Sequence, residues 1–469
     1  MQFTREIRHL LIAMLGAFGV VALAAVYWAV VGADTILLRP DNPRLVEAES
    51  RLIRGDITDR NSTPLVTSIV NENGSVTRRY LYPETHGALG YASLRYGVSG
   101  AEEAYNRLLR GDDLPQNLLT YFENGILHRP RRGSDVRLTL DLPVQQEAAR
   151  AMEGQTGALI ALALPEGEVL ALVSRPTYDP NTLDMDWETL VQSPGNPFFN
   201  RALQGSYQPG GALETPLVAA GLLTGYALDT PVENATRPVQ VGDVTLNCAA
   251  LLPSRPLTLR EAYAFACPAP FAELVGSLGF SAVRAALETF RLDQPVNLTG
   301  FAPDRPPSAA LRPDSIRAAA LGQGELTVTP LQMAVLTAAI INDGNAPQPY
   351  TLLAVHPPEA DDWTTVPAAL TIQPMTTANT ARQLQDMMRL AVAQGAAQNA
   401  ARPNQDIGGH ASIAYSGDES LAWFIGFTTL GGRKGVAIAV VLEKSSDPGL
   451  AADIGGRVLA AAHARMQSN

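Results

Sequence analysis

Lysine is almost missing from this chain. Among its 469 residues only Lys434 and Lys444 occur, and every other basic side chain is Arg. Any mechanism that needs a lysine upstream of residue 434 is therefore excluded. Histidine is sparse too: His9, His86, His128, His356, His410 and His463 stand singly. Cys248 and Cys267 are the only cysteines and do not form a CxxC pair. No metal site and no cofactor is expected from such a set. Positive charge is outweighed, 35 Lys and Arg against 46 Asp and Glu for a net charge of −11, and no polybasic run exists. Nucleic acid is not an expected partner, because phosphate affinity needs clustered cations. With 46% hydrophobic and 17% charged residues the chain is not disordered, and its length allows two or three domains with a sizeable core.

One long apolar run is present. Leu10 to Val31 carries no charge and would reach ~33 Å as a helix, enough for a ~30 Å hydrocarbon core. Arg5 and Arg8 precede it and Asp34 follows, which places the N-terminus in the cytoplasm and the bulk of the chain outside. Tyr27 and Trp28 would sit near the outer interface. A cleaved signal peptide is the alternative, since Ala22-Leu23-Ala24 has a small-x-small form, but the apolar run continues past that site. The expected organisation is a cytoplasmic tail at 1–9, a transmembrane anchor at 10–31, a polar, Arg-rich module at 33–135 and a second domain at 136–469. Turns are frequent in the module (Asp41-Asn42-Pro43, Asn61-Ser62-Thr63-Pro64, Asn73-Gly74). In an oxidising space beyond the membrane, a Cys248–Cys267 bridge would contribute ~3 kcal/mol. Two small buried hydrophobes are the other reading of that pair.

The second domain begins with the alternating run Asp135–Leu142 and a helical stretch Val144–Met152. Gly157–Leu164 and Val169–Ser174, joined by Pro165-Glu166-Gly167-Glu168, predict a buried hairpin. Trp423–Leu430 and Gly435–Glu443 predict another, followed by a terminal helix over Leu450–Met466. Between them lie helical patterns at Leu213–Leu223, Leu259–Leu278, Leu331–Asn342 and Thr380–Ala393, the third opened by the cap Thr329-Pro330. The fold class is α+β: an antiparallel sheet flanked by helices, with its first and last strands as neighbours.

Several segments resemble the class B penicillin-binding proteins, in the family's order. Arg54-Gly55-Asp56-Ile57-Thr58-Asp59-Arg60 is similar to their RGxIxDR opening. Gly90-Tyr91 with Tyr96-Gly97-Val98-Ser99-Gly100-Ala101-Glu102 is similar to GY…YGxSGxE. Thr139-Leu140-Asp141, Gln145-Gln146, Ser174–Asn181, Asn200-Arg201-Ala202, Gly322-Gln323-Gly324, Thr329–Ala334 and Trp423-Phe424-Ile425-Gly426 continue the match. Each stretch is weak alone; the ordered set is not. The resemblance implies a membrane-anchored protein of bacterial peptidoglycan synthesis, with an extended N-terminal module and a serine transpeptidase-like domain related to the serine β-lactamases. In that family the domain cross-links stem peptides and is acylated by β-lactams.

The family's chemistry rests on three motifs, SxxK, SxN and KTG. Here Pro209-Gly210-Gly211-Ala212-Leu213-Glu214 stands for the first, so the nucleophile position is Gly211 and the base position Glu214. Glycine has no atom to acylate. Glu214 reads as a solvated or helix-N-terminal carboxylate. In Ala266-Cys267-Pro268 the serine and asparagine of the second motif become Ala266 and Pro268, whose side chains neither donate nor accept. Gly409-His410-Ala411-Ser412 replaces Gly-Lys-Thr-Gly. His410 and Ser412 would share one face of a strand, which raises a base–nucleophile pair; an incidental histidine on a surface strand is the blander reading. The expected function is a catalytically inactive, transpeptidase-like scaffold or regulator, working with cell-wall synthesis or division proteins in the membrane. An active transpeptidase of altered chemistry and a non-catalytic sensor of peptidoglycan stem peptides are the alternatives.

Overall fold

The computed structural model describes residues 2–30, 47, 49–114, 130–298, 300–301, 311–368 and 372–468. Val31, Asp34 and the Asp41-Asn42-Pro43 turn lie outside those residues. The N-terminal helix spans Gln2–Val30, and its stretch Ile7–Tyr27 is long and apolar enough to cross a membrane. The chain divides into two compact units. One takes in Met1–Ile53, Ile69–Thr77 and Pro115–Arg132, the other Arg54–Ser68, Arg78–Leu114 and Gly133–Asn469.

The larger unit is organised on a five-stranded antiparallel sheet. Its strands are β1 (Gly157–Leu164), β2 (Glu168–Arg175), β3 (Ile407–Ser416), β4 (Glu419–Gly431) and β5 (Lys434–Glu443). They lie in the order β3-β4-β5-β1-β2, so the first and last strands in sequence are neighbours, with Ile438 opposite Ala161. The alternation of strand side chains splits the core in two. Ala437, Ala439 and Val441 of β5 join one cluster with Leu162, Trp423 and Ile425, whereas Val436, Ile438 and Val440 join another with Ala161 and Phe424. Both faces are buried, which is why these strands read as continuous apolar runs.

The sheet is packed by α1 (Leu142–Ala151), α5 (Pro330–Ile341), α6 (Ala378–Gln394) and α7 (Pro448–Ser468), and α2 (Glu214–Leu223), α3 (Leu259–Ala264) and α4 (Pro268–Thr289) pack on other helices. α5 lies on the first cluster and α7 on the second. Thr329 caps α5 by accepting from the Gln332 amide while the Gln332 side chain accepts from Thr329 N–H, a reciprocal arrangement that satisfies two otherwise orphaned donors. The single helix expected over Leu259–Leu278 is instead two. Ala266 sits at φ +47° between α3 and α4, and Pro268 opens α4; proline's missing N–H suits a first turn and not a helix interior.

A second sheet is built from strands on both sides of residue 135. Ile57–Thr58 runs parallel to Val136–Arg137, and Asp135–Leu138 runs antiparallel to Leu352–His356. Beside it the two N-terminal sequence stretches meet. Glu102 is fully buried and takes Arg54 Nη2 at 2.7 Å and Arg78 Nε at 2.6 Å. Burial alone would raise the Glu102 carboxyl, but Arg78 and Arg54 outweigh it and hold it below its ordinary value.

Candidate functional site

The three motif positions converge where α2, the α3–α4 junction and β3 meet. A short 3-10 turn, Gly210–Leu213, runs directly into Glu214, the first residue of α2. Gly210 takes φ +53° and approaches Gly322 closely enough for its N–H to donate to the Gly322 carbonyl at 3.1 Å; only glycine accepts that backbone freely. β3 is an edge strand of the sheet. His410 pairs with Ile425 and Ser412 with Trp423, so both face the cluster that α5 covers, whereas Ala411 packs into the opposite one.

Two sequence expectations are corrected here. Glu214 does stand at a helix N-terminus, but it is not solvated: its residue is 3% exposed. His410 lies on an edge strand, but it is fully buried and no incidental surface group. Its ring stacks on Tyr263 of α3 at 4.3 Å between centroids, and the Tyr263 hydroxyl meets Thr215 Oγ1 at 2.9 Å. His410 Nε2 lies 3.0 Å from the Gly211 carbonyl oxygen. A carbonyl only accepts, so Nε2 carries the proton and Nδ1 is bare. Among the described residues Nδ1 has no hydrogen-bond partner, and neither has Ser412 Oγ, so the two do not form a base–nucleophile pair.

His410 Nε2 is also 3.5 Å from Glu214 Oε2, yet this is not an ion pair. Burial pushes the imidazole down to about 4, against a smaller upward effect of its bond to Gly211. Burial pushes the Glu214 carboxyl well above its ordinary range. Burial thus disfavours the charged form of both groups.

What the serine position contains is set by β3. A Cβ built on Gly211 would lie 2.8 Å from Ser412 Cβ, 3.4 Å from Ser412 Oγ and 3.5 Å from Glu214 Oε1. The Ser412 side chain therefore fills the space that a side chain at 211 would need. Gly211, Glu214, Ala266, Pro268 and Ser412 all line one cavity of about 60 Å³. Its remaining wall includes Leu246, Asn247, Cys248 and Ala249, a strap tied down by the Cys248–Cys267 disulfide and by Ala249 N–H donating to the Phe265 carbonyl at 3.1 Å. The two lysines are elsewhere. Lys444 pairs with Glu419 at the surface, and Lys434 borders a different cavity with Arg60 and Arg465.

Residues 157–461 match the family model of the penicillin-binding protein transpeptidase domain. The chain belongs to that family. Among the penicillin-binding proteins it is similar to the peptidoglycan D,D-transpeptidase PbpA of Mycolicibacterium smegmatis, with 30% identity covering 97% of this chain and 98% of the relative. A solved structure of penicillin-binding protein A from M. tuberculosis, an imipenem acyl-enzyme complex, superposes with a TM-score of 0.78 at 27% identity, covering 89% of this chain and 99% of that one. A D,D-transpeptidase domain from Eggerthella lenta, at 24% identity and a TM-score of 0.77, shares the fold. The class B assignment and the α+β fold expected from the sequence agree with these likenesses.

Sequence reasoning missed the strap, the Tyr263 stack and the contact between positions 214 and 410. One signal pointed to the last. Two motif lysines are exchanged together, for an acid and an imidazole, and paired exchanges of this kind suit groups that touch.

Proposed function

We propose that this chain is a non-acylating member of the class B penicillin-binding proteins that serves peptidoglycan synthesis as a scaffold or regulator. The observation that carries the reading is the filled nucleophile site: Gly211 offers no attacking atom, and Ser412 occupies the adjacent space. The relatives' names describe transpeptidases, and one is captured as an acyl-enzyme; acylation there requires a nucleophile with a base in reach. Here the base position is a buried Glu214 whose carboxyl burial pushes well above its ordinary range, and among the described residues the Ser412 hydroxyl has no base bonded to it. In serine hydrolases the loss of nucleophile or base alone costs several orders of magnitude in rate. Ala266 and Pro268 remove the second motif's donors as well.

In this reading the Gln2–Val30 helix anchors the chain with its N-terminus in the cytoplasm and its bulk outside. The fold is retained as a surface for cell-wall synthesis or division proteins in the same membrane. The test is a fluorescent-penicillin gel on the full-length protein in detergent, beside an active family member. The expected result is no band. A band that survives denaturation and disappears on preincubation with unlabelled penicillin would overturn the proposal.

A further inference from the structure

The cleft keeps hydrogen-bonding capacity that the protein itself leaves unused. Around the cavity of about 60 Å³, Glu214 Oε2, Ser412 Oγ and Gln323 Nε2 are buried without partners among the described residues. Glu214 and Ser412 are 3% and 1% exposed, and the other end of Gln323 is committed, its Oε1 accepting from Tyr415 N–H at 3.3 Å. A buried polar atom without a partner is costly, so three around one small space call for an explanation.

We propose that this cleft binds a neutral primary carboxamide. The proposal rests on the reading that the cleft does not acylate its ligand. The three groups ask for both roles at once: Gln323 Nε2 needs an acceptor, the Glu214 carboxyl presents an accepting oxygen, and the Ser412 hydroxyl both accepts and donates. One carboxamide supplies both, a carbonyl for Gln323 and an NH2 for the two oxygens. A carboxylate brings no donor and meets no cation, since no Lys or Arg is among the described residues lining the cavity. An ammonium brings donors but nothing for Gln323. A cavity of about 60 Å³ suits a head group alone.

The experiment is saturation-transfer NMR on the full-length protein in detergent, with acetamide, acetate and methylammonium as separate probes. Transfer to acetamide alone is expected, reduced at least threefold by Ser412→Ala and likewise by Gln323→Met. Either variant suffices if the other fails to fold. Equal transfer to acetate or methylammonium, no transfer to acetamide, or an acetamide signal that survives both variants would overturn the proposal. Penicillin labelling of the same samples reports separately on acylation, so a covalent adduct with acetamide selectivity intact would strike the non-acylating reading alone.

Discussion

Putting the serine back at position 211 is the perturbation that most directly interrogates the cleft. The new Cβ would lie 2.8 Å from Ser412 Cβ, an atom fixed to the β3 backbone and unable to swing aside as a flexible chain end would. Overpacking of this kind costs about 1–3 kcal/mol. Gly211 is not in a left-handed conformation, so replacing it recovers about 0.4–1 kcal/mol by restricting the unfolded chain. The net expectation for Gly211→Ser is a destabilisation of about 0.5–2 kcal/mol. Because a chain of this size shifts only ~1 °C per kcal/mol, urea titration is the better assay than melting. The decisive measurement is a double-mutant cycle with Ser412→Gly, which removes the opposing side chain. Competition for one space predicts that the double variant is more stable than the sum of the single changes by ~1 kcal/mol or more. Additivity within ~0.3 kcal/mol would refute the claim that Ser412 fills the nucleophile's place. None of the three variants should label with penicillin, since no base is restored.

Burial raises the Glu214 carboxyl well above its ordinary range in the folded chain, whereas an unfolded glutamate ionises near pH ~4.5. Stability from this residue is therefore lost as pH rises, and Glu214→Gln should gain on the parent as pH is raised above ~4.5; a gain that does not change with pH would contradict the assignment. His410 runs the other way, its folded value near 4 against ~6.5 unfolded, so its contribution of about 3 kcal/mol is present above pH 6.5 and lost as pH falls towards 4. His410→Gln should flatten that acid limb in a pH series of urea midpoints. Cys248 and Cys267 should both resist alkylation in protein taken from the envelope without reductant, as read by mass spectrometry; two modified cysteines would end the disulfide assignment. Protease added to intact spheroplasts should digest the bulk of the chain, and protection of that bulk would reverse the proposed topology.

Much of the framework was legible because periodicity and punctuation agree there. The Gly157–Leu164 run ends at Pro165-Glu166-Gly167, and the structure turns at that point into β2. Thr329-Pro330 announces α5 by a local mechanism, a side-chain cap with a proline that needs no donor. The motif losses were also legible, since side-chain chemistry is a property of residue type. What escaped depends on long-range placement. A glutamate and a histidine are normally read as wet, and nothing near Glu214 or His410 in sequence announces Tyr263 or the strap that bury them. The break at Ala266 follows from Pro268 but was masked by apolar residues on both sides that continue a helical pattern. Arg54 and Glu102 lie in separate stretches, and only the fold brings them together.

The strand order also dictates when the central sheet can exist. β5 lies between β4 and β1, so the hairpin made early in synthesis acquires its inner neighbour only after the chain has been made to Glu443. Until then β1, buried at every position in the finished protein, has one edge unpaired, and the face that α7 covers lacks that helix. Pairings between such distant segments close slowly, and exposed apolar strand edges invite pairing with other chains. A nascent chain of this protein must therefore be held apart from its copies until its last tenth has arrived, and removing α7 and β5 would leave an aggregating fragment in place of a smaller domain.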